Sequence, residues 1–181
     1  MSRFGRLLPL LGALLLSGCW WEGPVLYAPD PAAAQPLAPG LYETTDSGGQ
    51  VERSRIVRNA DGTLRSGETD AQKEESALFF VPLAVPGRNI WISEVISTDP
   101  AQPGAIYGLV ERQGDSMRYS MVIDCDKTAD MVRAAGGVVV AKDDKMTCRF
   151  NDTASLERAL RAYLALHPKL DDRMQFKRIG D

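Results

Sequence analysis

The sequence predicts an α+β domain, an antiparallel β-sheet meander with two helices in its C-terminal third. Three observations lead there. Between Gly40 and Cys125 short stretches of alternating apolar and polar residues are separated by Gly, Asp and Pro turn signals. Helical periodicity appears only later, at 127–135 and 153–166, and a last alternating stretch from Met174 to Ile179 returns to the sheet.

The first strand is expected at Leu41-Tyr42-Glu43-Thr44. A hairpin follows from Val51–Arg58 and Thr63–Arg65 around Asn59-Ala60-Asp61-Gly62, since Asp-Gly readily takes the positive dihedrals of a tight turn. Ala77 to Val85 reads as a strand with Phe79, Phe80 and Val81 at its centre, and Pro82 assigns it to an edge or bulge because proline has no N–H to donate. Asn89–Ile96, Ile106–Arg112 and Met117–Cys125 continue the meander through the loop at 97–104 and the turn Gln113-Gly114-Asp115-Ser116. Asp126 is the expected cap of a helix from Lys127 to Ala135 that stops at Gly136-Gly137. Strands at Val138–Ala141 and Met146–Phe150 come next. Asp152 then caps a helix from Thr153 to Leu166, whose stripe is Leu156, Leu160, Tyr163 and Leu164 and which Pro168 prevents from continuing.

The N-terminus has a different composition. Arg3 and Arg6 precede an almost wholly apolar run from Leu7 to Leu16, too short to span a bilayer, which takes roughly 20 residues. The run ends in Leu16-Ser17-Gly18-Cys19, which resembles the lipobox of bacterial lipoproteins. The resemblance covers residues 1–19 and implies a signal peptide over 1–18, cleavage before Cys19, acylation of Cys19 with palmitate-like chains, and a life in the cell envelope. Trp20 is not the aspartate associated with inner-membrane retention, so the same analogy favours the outer membrane, facing the periplasm. An ordinary signal peptide with an incidental cysteine, or a buried N-terminal helix, is the alternative.

Residues 19–39 hold Pro24, Pro29, Pro31, Pro36 and Pro39 with Ala32 to Ala34, the composition of a semi-extended tether. At about 3.1 Å per residue such a tether would hold the domain up to roughly 60 Å from the bilayer. Trp20 and Trp21 suit either the membrane interface or docking on the domain. The folded unit is expected over 40–181, one domain, and those residues carry no family resemblance.

The formal charge is −3, and about −5 once Arg3 and Arg6 leave with the leader. That argues against a nucleic-acid partner, which asks for a basic face, and makes the lipid rather than a polybasic patch the expected membrane contact. Of three cysteines, Cys19 is assigned to lipid, leaving Cys125 and Cys148 as an even pair in an oxidising compartment. A bridge closing that loop contributes about 3 kcal/mol in the chain-entropy model. Two free buried thiols or a redox or metal site are the competing readings; the last lacks CxxC spacing and companion histidines.

No catalytic constellation stands out. His167 is the sole histidine, and its place at a helix end is explained by capping. No nucleophile elbow, phosphate loop or EF-hand loop is present, and no cofactor or metal is expected. Asp124 with Asp126, Asp143-Asp144 and Asp171-Asp172 are the carboxylate clusters that a hydrolase or a calcium site would draw on; such loops are usually solvated turns. Trp91 opposes Ile90 and Ile92 on its strand, and both faces of Phe79-Phe80-Val81 are apolar, so Trp91, Phe79 and Phe80 form a candidate partner surface unless the helices cover them. Three functional readings are compatible with this: a non-enzymatic envelope lipoprotein contacting another envelope protein or a cell-wall component, a periplasmic inhibitor or small-ligand binder, and a carboxylate-dependent hydrolase.

Overall fold

The alternating strands of the meander do not lie open. In the computed structural model, which describes residues 20–32, 35–46, 48–67, 76–97, 100, 103–114, 116–120, 123–142, 145–170 and 174–181, they close into an antiparallel barrel. Its eight strands are β2 (Gly40–Asp46), β3 (Val51–Arg58), β4 (Leu64–Gly67), β5 (Ser76–Val85), β6 (Arg88–Ser97), β7 (Ala105–Gln113), β8 (Ser116–Ser120) and β11 (Met174–Gly180). The order runs β6-β5-β4-β3-β2-β11-β8-β7, and pairing of β6 with β7 completes the ring. The α+β content stands, and the open meander is corrected: β11 inserts between β2 and β8 and pairs with both.

Three further strands extend the sheet. β1 (Trp21–Gly23) pairs antiparallel with Ala105 and Ile106 at the start of β7, and parallel with Cys148 and Arg149 of β10 (Lys145–Arg149). β9 (Val138–Lys142) lies beyond β10 at the edge. β8 takes up the same side of β7 only from Leu109 onward, so the sheet forks along β7.

The register sorts side chains onto two faces. Phe80, Ser93 and Gly108 make one cross-strand row, and Phe79, Glu94 and Tyr107 make the next. The first face turns into the barrel, where Leu37, Tyr42, Ile56, Leu64, Phe80, Val110, Met117 and Tyr119 form one apolar cluster. The second faces outward and is covered by the helices α1 (Cys125–Ala134) and α2 (Thr153–Leu166). There Trp21, Tyr107, Ile123, Val132, Cys148, Phe150, Leu156, Leu160 and their neighbours form a second, larger cluster. Both faces of β5 are therefore buried at Phe79 and Phe80, the centre of its apolar run, while Pro82 and Ala84 beyond them are exposed.

Local chemistry sets the element ends. Asp61 accepts from the backbone and hydroxyl of Thr63, and Gly62 takes a φ of 91° in the turn between β3 and β4. Pro82 is tolerated because β4 meets β5 only at Leu64–Leu78, leaving the rest of that side of β5 unpaired by β4. Asp152 caps α2 as expected, accepting from the Ser155 N–H at 2.7 Å. The cap of α1 is Asp124, not Asp126: Asp124 accepts from the Asp126 N–H, and Asp126 instead accepts from the Met146 N–H of β10. Cys125 accordingly opens a helix rather than ending a strand, because the Asp124 cap starts the helical turn there.

The segment read as a tether is not free of the domain. Trp21 is fully buried, its indole N–H donating to the Thr128 hydroxyl, and Leu37 is 3% exposed within the barrel cluster. The physical reason is that β7 and β10 leave a strand-wide slot which Trp21–Gly23 fills. A side chain on Gly23 would meet the Phe150 carbonyl and the Tyr107 hydroxyl, so that slot admits only glycine.

Candidate functional site

Two places hold polar chemistry that packing alone does not explain, one on each face of the sheet. On the outer face Glu94 sits in phase with Ile90 and Ile92 and is 1% exposed. One carboxylate oxygen accepts from the Leu26 N–H at 2.9 Å; the other has no hydrogen-bond partner among the described residues. Burial pushes the carboxyl up to about 7, against the backbone N–H groups of Leu26 and Tyr27, which pull it down. Beside it the Tyr107 hydroxyl donates to the Pro24 carbonyl, and burial pushes its pKa well above the usual phenol range. Tyr27 donates to Glu157 of α2 at 3.2 Å and is likewise raised, first by burial and then by the Glu157 charge. Arg161 completes the group, donating to Glu157 and to the Ala84 carbonyl.

Glu94, Tyr107 and Glu157 share one target, the strap of residues 24–27 that follows β1. Chemically Glu94 is a carboxyl able to exchange a proton near neutrality, but its hydrogen bond is spent on strap backbone, which makes it a latch.

On the inner face is a small void of about 10 Å³ lined by Leu37, Leu78, Phe80, Val110, Met117, Tyr119 and Phe176. Three polar atoms on this face are buried without a partner in hydrogen-bond geometry: the Trp91 indole nitrogen, the Ser93 hydroxyl and the Tyr119 hydroxyl. Trp91, Val110 and Tyr119 form one row across β6, β7 and β8, and Ser93 faces Gly108, which contributes no side chain. Burial raises Tyr119 to about 12, while the Ser93 hydroxyl beside it acts in the opposite direction. A void needs roughly 10–15 Å³ to hold a water, so this space is of the size of a single water.

The structure brings Cys125 and Cys148 together, and puts Phe79 on the opposite face of the sheet from Phe80 and Trp91. Cys19 lies outside the described residues, as do Asp143, Asp144, Asp171 and Asp172. Cys125 and Cys148 form a disulfide, with Cα atoms 5.5 Å apart. Phe79 and Phe80 are 1% and 2% exposed, and Trp91 is half-buried against the barrel cluster. They do not form an exposed strip, because barrel closure covers one face and the outer layer covers the other. His167 caps α2, its N–H donating to the Tyr163 carbonyl and its ring stacked on Tyr163 at 4.2 Å. Glu94, Tyr27 and Tyr107 were not among the sequence candidates. The available signal was a glutamate standing in the apolar phase Ile90, Ile92, Ile96 of a strand.

Among the described residues no group of three or more His, Cys, Asp or Glu is placed to hold a metal ion, and no helix is long and apolar enough to cross a membrane. No family model, no curated protein and no solved structure matches this chain.

Proposed function

We propose that this is a lipid-anchored protein of the bacterial cell envelope, acylated on Cys19, whose barrel domain serves a non-enzymatic role as an interaction or structural module in the periplasm. The observation that carries the reading is the leader ending in Leu16-Ser17-Gly18-Cys19. The Cys125–Cys148 disulfide supports it, because such bonds persist in exported proteins, and it leaves Cys19 as the one cysteine outside the pair.

The test is Cys19→Ala. The expected result is loss of the acyl mass from the mature protein and its release from the membrane fraction; unchanged attachment would refute the anchor. A second reading, small-ligand binding, is favoured by the unpaired polar atoms inside the barrel. The described lining carries no charged residue, so any ligand would be neutral and would have to widen the void, and native mass spectrometry of the purified protein would find or exclude it.

A further inference from the structure

Given the lipid anchor, on which this proposal rests, burial of β1 dictates where the bilayer meets the domain. Cys19 directly precedes Trp20 in the chain. The Trp20 carbonyl accepts from the Cys148 N–H at 3.2 Å, and the next residues are paired on both sides, to β7 and β10. Trp20 is thus held at the sheet, and consecutive Cα atoms are about 3.8 Å apart, so a lipid carried by the preceding residue would bring the bilayer close to β10.

The three-stranded extension β1-β10-β9 presents a defined face there. Cross-strand pairs put Val138 opposite Arg149 and Val140 opposite Thr147, with Glu22 next to Arg149. Cys148, with Val139 and Met146 packed in, points the other way into the outer-layer core. On the outward face Val138 is 48% and Val140 39% exposed, on a strand at the sheet edge. Exposed valines on an edge strand invite pairing and are normally guarded by charge or cover. Arg149 is paired with Glu22 at 2.8 Å, and the register continues the row to Lys142 opposite Lys145 at the far end of the hairpin, a basic end suited to anionic headgroups. Trp20 is itself buried, 5% exposed, and the hydrogen bond its carbonyl accepts from β10 holds it against the domain.

We infer that the face of the β1-β10-β9 extension carrying Val138, Val140 and Thr147 lies against the lipid headgroups, so that the bilayer covers this edge of the sheet and fixes the orientation of the barrel.

The experiment uses the full acylated protein, reconstituted in vesicles of zwitterionic and anionic phospholipid with a fraction of lipid carrying a nitroxide on its headgroup. Val140→Cys, and as a control Val51→Cys, are each labelled with an environment-sensitive fluorophore. Val51 is 60% exposed on β3, on the other side of the strand order. The label at 140 should lose most of its emission to the nitroxide lipid, and the label at 51 should keep it. Equal responses from acylated, vesicle-bound protein would overturn the docking face and leave the anchor standing. Intact mass showing Cys19 without acyl groups would remove the anchor reading and this inference with it. Protection of the label at 140 without vesicles, growing with protein concentration, would assign the edge to a second copy of the chain and overturn the inference.

Discussion

The two cores of this protein, on opposite faces of one sheet, are built to different standards. The outer layer is dense and cross-linked: Trp21 packs on Phe150 and Tyr163 at ring distances of 5.0 and 6.2 Å, Phe150 also meets Tyr107, and the Cys125–Cys148 bridge ties α1 to β10. Its buried indole and one phenol find partners in Thr128 and Pro24. The barrel interior keeps an apolar cavity, leaves three polar atoms unpaired, and is joined by a single residue pair between β4 and β5. Void-lining atoms forfeit dispersion contacts, and each unpaired buried polar group costs about 1–3 kcal/mol, so the outer layer carries the stability and the barrel interior is the place where a small molecule or water would be gained.

The strongest way to break this contrast is to truncate one side chain in each core. Phe150→Ala, at a fully buried site, should cost about 3–5 kcal/mol, whereas Met117→Ala beside the existing cavity should cost nearer to about 2 kcal/mol. Urea unfolding at fixed pH measures both, and equal costs would erase the distinction. The disulfide comes next. Cys125→Ser should lower stability by about 3 kcal/mol under oxidising conditions and make little difference once the parent is reduced. Loss of the same size under both conditions would trace the effect to packing.

Glu94 sharpens the comparison because it is a polar flaw on the better-packed outer face. Its carboxyl is raised in the folded state from 4.5 to about 7, so the native state holds the proton that the unfolded chain releases. Stability should therefore fall as pH rises from about 4.5 through 7, by about 3 kcal/mol, and level off above that. Glu94→Gln keeps an acceptor for the Leu26 N–H and should flatten the profile, gaining stability above neutrality. Thermal unfolding across roughly pH 4 to 9 checks the slope; an unchanged profile in the variant would assign the pH dependence elsewhere. The smallest effect is expected from Ser93→Ala inside the barrel. Removing a hydroxyl with no partner in good geometry should be neutral or stabilising by up to about 1 kcal/mol, and a comparable loss instead would mean that Ser93 is hydrogen-bonded, to Tyr119 beside it or to an ordered water.

Much of the local structure is legible in the residues themselves. Asp152 before a 3.6-period stripe sets where α2 begins, Asn59 to Gly62 sets a turn, and Pro82 marks a strand side left open, because caps, turn dihedrals and a missing N–H act over a few residues. The disulfide is also readable, from the two cysteines left over once Cys19 is assigned to lipid. Phe79 and Phe80 side by side show that both faces of β5 must be covered, but not by what.

Closure of the barrel, the insertion of β11 between β2 and β8, and the capture of Trp21–Gly23 between β7 and β10 were decided by tertiary structure alone. Alternation with period 2 says which side chains share a face; it does not say which strand lies alongside, since backbone hydrogen bonds are the same for any partner. Three residues of a proline-rich segment carry no strand signal until a slot of the right width exists, and Glu94 becomes a buried carboxyl only when that segment folds over it. The leader and Cys19 are chain-local features, so the sequence by itself supplies the argument for an anchor, whereas the distance between anchor and domain follows from how Trp20 and Trp21 are held in three dimensions.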